Sequence, residues 1–488
     1  MSTRSRLGII GFYITLIALV LLLLFGVLVA RNRAQRGVWF PGEPLPPPSG
    51  AATPLGTTVE LTQYESRQAL DEALDEAEAM GLGWLRQELR WDRVESEPGQ
   101  FEWEEYDQAI AAAAERGFRL ILFLNRTPEW ARRSGEEDNP FAPPAETAEF
   151  VEFARAATER YGEAVYGWQV WDQPNLMPHW GVRIILNPDE YTRFLAEVAP
   201  AIRAGDPDAV VATAGLGPTT ELSGYNMSEV TYLRWLYDAG AARYFDAVAL
   251  KPFGFWQEVA ERVYGEDRLG LDRVVLVREL MEQRGDGEKP IWFVEGGWAV
   301  LPPDWQGEPP PWGYDSPATQ QRRLYETIRR AVLEWPWVQV IALQRLQPAA
   351  PPDDPLWTLA LLNEEGERTA LGERMGEIGT LFFDGPLGTR EMARWEQRGR
   401  PALRQYDYAS WALGALLLLL AGRLAWHTWS LPWNQWRAWF VQRPEWFQIA
   451  TIASVALAFY LVDNLAVALL IYAILGLLFA WRFDLGLA

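Results

Sequence analysis

Eight times between Gly56 and about Phe383, a short apolar run is followed by a stretch of helical periodicity, and few folds accommodate that pattern. The runs are "TTVELTQ" from Thr57, "GWLRQEL" from Gly83, "RLILFLN" from Arg119 and "YGWQVW" from Tyr166. "AVVATAG" from Ala209, "FDAVAL" from Phe245, "PIWFVE" from Pro290 and "VQVIAL" from Val338 complete the set, with starts about 25 to 50 residues apart. Between them lie amphipathic stretches such as "SRQALDEALDEAEAMG". Strand and helix alternating eight times predict a (β/α)8 TIM barrel over residues 57–383, with its site at the C-terminal ends of the strands.

The residues that end these runs therefore carry the chemistry. Arg86 lies in the second run, with Trp91 just beyond it, and Asn125 ends the third. Asp172, Gln173 and Asn175 follow the fourth, Lys251 follows the sixth, and Glu295 with Trp298 ends the seventh. Gln344 and Arg345 follow the eighth. Polar groups beside indole faces suit a sugar, which has hydroxyls on its edge and C–H bonds on its face. The chain holds 26 tryptophans, so any single one is more simply a packing residue; the constellation is what points to carbohydrate.

From about Gly81 to Gly379 the sequence resembles the clan-A retaining glycosidases, particularly their β-xylosidase-like and cellulase-like branches. The resemblance is carried by "GLGWLRQELRWDRVESEPGQFEWEEYDQAIAAAAERGFRLILFL", "TPEWA", "FVEFARAATERYGEAVYGWQVWDQPN", "FDAVALKPFGF", "IWFVEGGW" and "LALLNEEGERTA". It implies that Glu295 stands at the nucleophile position and Arg86 at that of its supporting arginine. It places Gln173 where the acid/base Glu is usual, Asp172 where an Asn binds the 2-hydroxyl, Lys251 where a His is usual and Phe253 where a Tyr is usual.

Retaining hydrolysis needs two carboxyl groups about 5–5.5 Å apart, one attacking and one donating a proton. An amide accepts and donates hydrogen bonds but cannot supply that proton, a loss of roughly 10²–10⁴-fold. The sequence thus predicts a glycosidase-like barrel that binds saccharide, or serves as an accessory subunit, with hydrolysis reduced or lost. The alternative is an active retaining glycosidase or transglycosylase using Glu295 on leaving groups that need no proton, as in plant thioglucosidases, whose acid/base place holds Gln. Two loops bear on access to the cleft. "LPPDWQGEPPPWGYD", with Trp305 and Trp312, roofs or plugs it; in "PAAPPDDPLW", Asp353 and Asp354 read as solvated acids rather than cation ligands.

Apolar segments flank the barrel. Leu7–Ala30 is an uncharged run long enough for a bilayer core of about 30 Å, and it predicts a retained transmembrane anchor over 1–36. Residues 37–56 read as a Pro-rich linker, 384–406 as a second linker, and 407–488 as a helical membrane domain of about three helices. Tyr408–Trp426 is one span, and Gln448–Trp481, broken by Asp463 and Asn464, reads as two more. Four spans place Arg4, Arg6, Arg423, Arg437, Arg443 and Arg482 on the cytoplasmic side and the barrel outside, against which Arg31, Arg33 and Arg36 count. The lipid bilayer, a saccharide and other membrane subunits are the partners this implies. A net charge of −21 argues against nucleic acid. With no cysteine and only His179 and His427, neither a thiolate site nor a His-rich metal site is expected, and no cofactor.

Overall fold

A computed structural model describes residues 3–38, 53–182, 185–221, 223–303, 305–381, 401–429 and 442. The chain divides into two compact units, Gly37–Arg398 and Met1–Arg36 with Gly399–Ala488. The first helix, α1 (Thr3–Gln35), belongs to the smaller unit. In the larger unit each strand is followed by a helix: β1 (Gly56–Val59) by α2 (Arg67–Ala79), and β2 (Trp84–Arg90) by α3 (Glu104–Glu115). Next come β3 (Arg119–Asn125) with α4 (Thr147–Tyr161), β4 (Val165–Val170) with α5 (Pro188–Gly205), and β5 (Val210–Ala212) with α6 (Glu229–Asp238). Then follow β6 (Val248–Leu250) with α7 (Arg273–Gln283), β7 (Ile291–Phe293) with α8 (Pro317–Glu334), and β8 (Val338–Ile341) with α9 (Ala370–Gly379).

Helix starts follow from local chemistry. Ser66 accepts from the Ala69 amide at the start of α2, and Asn187 and Ser316 cap α5 and α8, each followed by a proline. The strands are parallel in the orders β1-β2-β3-β4-β5 and β6-β7-β8. Two seams join these sheets. Thr213 N donates to Ala247 O at 3.0 Å between β5 and β6, and Thr58 N donates to Gln344 O at 3.0 Å between β1 and β8. The sheet therefore closes into the eight-stranded barrel that the alternation predicts.

Alternation along the strands separates two cores. Leu85 and Leu89 of β2 and Leu120, Leu122 and Leu124 of β3 pack in the layer shared with the helices. Trp84, Ile121, Ala212, Ala247, Ala249, Trp292, Val294 and Val340 fill the barrel interior. Trp292 is the bulkiest element of that plug, held by its Nε1 donating to Gln339 Oε1 at 2.6 Å. Its ring occupies the space a side chain at Gly167 would need, since a Cβ there would stand 2.5 Å from Cη2. With the lower barrel filled by apolar groups, inward-facing residues one or two turns of the pleat higher form the mouth.

In the smaller unit α1 packs against α10 (Pro401–Trp429). Arg31 Nε meets Asp407 Oδ1 at 2.8 Å, joining the end of α1 to the start of α10, so the two helices run antiparallel. Both are long and apolar enough to cross a bilayer, with mean hydropathy 3.0 over Ile9–Gln35 and 1.5 over Leu403–Trp426. The spans expected at Gln448–Trp481 lie outside the described residues, as do most of the two linkers.

Candidate functional site

At the barrel mouth six charged side chains alternate in sign along one continuous chain. Arg345 Nη1 contacts Glu60 Oε1 at 3.1 Å, and its Nε and Nη2 contact Glu295 Oε1 at 3.1 and 2.9 Å. Lys251 Nζ bridges Glu295 Oε2 at 2.7 Å and Asp172 Oδ2 at 2.6 Å. Asp172 Oδ1 accepts from Arg86 Nη2 at 3.0 Å and from Gln169 Nε2 at 3.1 Å. Gln169 Oε1 in turn accepts from Arg86 Nε at 2.9 Å, and the Arg86 guanidinium lies 3.7 Å over the Phe123 ring. Three carboxylates thus face three cations. Arg86, Lys251 and Glu295 are 1%, 4% and 4% exposed, so their charges are held almost out of water by one another.

The electrostatics follow from that arrangement. Burial alone would raise the Glu295 carboxyl. The charges of Arg345, Lys251 and Arg86 and the hydrogen bond from Lys251 overcome it and hold the group well below the ordinary carboxylate range. Glu60 moves the other way, because burial outweighs the lowering effect of Arg345. Burial pushes the His179 imidazole, whose ring lies 4.7 Å from Phe141, down to about 4, so it is neutral at physiological pH.

Local backbone geometry aims these groups. Strict alternation from Gln169 would turn residue 171 inward, but Trp171 has φ +73° and packs into the helix-side core, leaving Asp172 to enter the mouth. Gln173 has φ +51° and donates its amide N–H to Gly215 O at 3.0 Å. Left-handed backbone at two non-glycine residues in one turn is costly and marks a place whose geometry the surroundings over-determine. The side-chain amide of Gln173 makes no hydrogen bond among the described residues; its Nε2 lies beside Gly217. Glu295 directly follows Val294, which is in the interior, so the chain leaves regular strand geometry after Phe293 to bring both into the barrel.

Of the nine residues expected at the site, Arg86, Asp172, Lys251 and Glu295 converge, and Gln173 lies at the end of β4 beside Asp172. Asn125 is near them: its Nδ2 donates to Glu88 Oε1 at 3.1 Å, while its Oδ1 is buried without a partner. Trp91 is not at the mouth. A one-turn helix, Trp91–Val94, carries it into the helix layer, where it stacks on Phe153 and donates to Glu95 Oε2 at 2.7 Å. Asn175 ties two loops together, its Nδ2 donating to Gly217 O and Met227 O at 2.7 and 2.8 Å. Trp298 is 2% exposed and lies flat against Gly254, so its face is not available to a ligand. The loop after β7 reaches across to β6, where Trp312 stacks on Phe253 at 4.8 Å.

Glu60 and Gln169 complete the network, and Glu88 forms a separate pair beside it; the sequence singles out none of the three. Glu88 accepts from Arg126 Nε at 2.9 Å as well as from Asn125. Counting by two from Arg86 along β2 would have placed Glu88 on the inward face.

No family model and no curated protein matches the chain. Solved glycoside hydrolases do match its fold. A family 39 glycoside hydrolase from the gut symbiont Bacteroides cellulosilyticus WH2 superposes with a TM-score of 0.53 at 16% identity, over 69% of this chain and 64% of that one. The chain thus spans less than two thirds of that enzyme. GH5_18 from Streptomyces cattleya in complex with GlcNAc gives 0.49 at 14% identity, over 74% and 82% of the two chains. The beta-galactosidase from the psychrophilic Marinomonas ef1 gives 0.47 at 14%, over 73% and 62%. At such identities the likeness is one of fold, a glycoside-hydrolase-like barrel.

Proposed function

We propose that this chain is a membrane-anchored, extracytoplasmic protein that uses a glycoside-hydrolase barrel to recognise saccharide without hydrolysing it, as an accessory subunit of a membrane complex. The observation that carries the reading is the state of Glu295. Both of its oxygens are held by cations, Oε1 by Arg345 and Oε2 by Lys251. A nucleophilic carboxylate must present an oxygen lone pair to an anomeric carbon, and here that requires breaking a buried ion pair first. Gln173 adds the second deficit, because it stands where a proton donor is required and cannot act as one. Lys251 also ties Glu295 to Asp172, so the residue that resemblance associates with the 2-hydroxyl is already engaged.

The test uses activated aryl glycosides of several sugars with the wild type, Glu295→Ala and Gln173→Glu. The expected result is no turnover above background and no covalent trapping at Glu295 by fluoroglycosides in the wild type. Trapping at Glu295, lost in Glu295→Ala, would sink the reading and establish a retaining enzyme that works on leaving groups needing no proton.

A further inference from the structure

Beside the mouth, and sharing none of its charged residues, lies a second concavity of about 820 Å³, within the size range of small-molecule sites. Its walls are the loop after β7 and the segment after β8. The two meet where Gly307 approaches so closely that a Cβ would stand 2.2 Å from Asp353 O and 2.6 Å from the Trp305 ring. Two indoles, Trp305 and Trp357, line it, and Pro302 and Pro303 stiffen the wall that carries Trp305. Trp357 is fixed by its Nε1 donating to Ala350 O at 3.1 Å.

The floor supplies a buried polar group with capacity to spare. Gln320, at the start of α8, lines the cavity and is 4% exposed; its Nε2 donates to Trp298 O at 2.7 Å and Thr358 O at 3.4 Å, and its Oε1 accepts no hydrogen bond from the described residues. On the opposite wall Asn363 Oδ1 accepts from Glu367 N at 2.7 Å, leaving its Nδ2 unpartnered. The charge of the lining narrows the ligand. Asp353, Glu364 and Glu365 surround the opening without ion-pair partners, and no Lys, Arg or His lines the cavity, among the described residues. An anionic ligand is repelled by such a site, whereas a neutral polyhydroxylated one meets ring faces, an amide acceptor, an amide donor and carboxylates on its edge.

We infer that this side cavity, rather than the barrel mouth, is the saccharide site, and that it takes a neutral oligosaccharide stacked on Trp305 and Trp357 with hydroxyls on Gln320 Oε1 and Asn363 Nδ2. The inference rests on the reading of saccharide recognition above and relocates it: the mouth is filled by its own ions, and the binding surface has moved to the adjoining loops. Gln320 connects the two, since the carbonyl it holds belongs to Trp298, three residues after Glu295.

Calorimetric titration of the detergent-solubilised full chain tests this. The probes are neutral linear tetrasaccharides of glucose, xylose, mannose and N-acetylglucosamine, with an oligogalacturonate of equal length as the anionic comparison. At least one neutral probe binds, Trp305→Ala and Trp357→Ala each weaken it about tenfold with unchanged Tm, and Trp256→Ala, at an exposed indole elsewhere, does not. Binding that survives both indole variants but is lost in Gln173→Ala returns the site to the mouth, overturning this inference while the proposed function stands. Preference for the oligogalacturonate overturns the neutral class. No binding of any probe overturns both.

Discussion

Lys251 stands between two carboxylates, 2.7 Å from Glu295 and 2.6 Å from Asp172, and is one of two lysines in the chain. Two carboxylates hold the ammonium there, so removing the charge of Glu295 leaves the buried cations Lys251, Arg345 and Arg86 one counter-charge short. Glu295→Gln should therefore cost about 3–5 kcal/mol at neutral pH, the range for removing one partner of a buried pair. Its pH dependence has a defined sign. The folded carboxyl is held below the ordinary value of 4.5, so the stability it contributes is complete above that value and is lost as pH falls through the lowered one. Wild type should lose stability toward acid more steeply than Glu295→Gln, with the two curves converging at the acid end. Tryptophan-fluorescence denaturation curves of the barrel over a pH series check this; parallel curves would show that Glu295 is not the titrating group.

Strands and loops set how precisely such residues are placed. Gly167 of β4 has no side chain because the Trp292 ring from β7 fills the interior beside it, 2.5 Å from the position of an added Cβ and with Val210 O at 3.2 Å. Gly167→Ala should overpack the plug beneath the mouth and cost about 1–3 kcal/mol, with near-ultraviolet circular dichroism reporting displaced indoles. An unchanged Tm and spectrum would mean that the plug yields freely. The same strands explain what was legible in the sequence. Parallel strands buried on both faces read as continuous apolar runs, which is why all eight were visible and why Asp172, Lys251 and Glu295 could be picked from their ends. A lysine following β6 beside a glutamate following β7 suggests the Lys251–Glu295 pair from sequence; the links of Asp172 to Lys251 and Arg86, 79 and 86 positions apart, have no such signature. Trp91 and Asn175 were misplaced for local reasons. A one-turn helix rotates the first away from the mouth, and the second is consumed by backbone groups of the β5 loop. Neither rotation has a signature in residue type.

At the scale of the whole molecule, α1 and α10, the helices of the smaller unit among the described residues, are unlike packed globular helices. Leu22 of α1 and Leu418 of α10 are 68% and 76% exposed, in helices that are apolar on every side. Helices of that kind have the length and composition of bilayer-spanning segments. Were both helices to cross a bilayer as this antiparallel pair, chain connectivity alone would put residues 37–398 on the side opposite the N-terminus. Arg4 and Arg6 in the first turn of α1 favour the cytoplasm for that terminus, while Arg31 near the other end is paired with Asp407. The absence of native cysteine makes the assignment directly testable. In intact cells a membrane-impermeant maleimide should label Ser134→Cys, on an exposed barrel loop, and should label Ser2→Cys only after permeabilisation. The reverse pattern would place the barrel in the cytoplasm, remove any envelope glycan from its reach, and overturn the extracytoplasmic reading. Labelling of both positions in intact cells would mean that α1 does not cross the bilayer, and the hairpin would then have to be read as a pair packed against another protein.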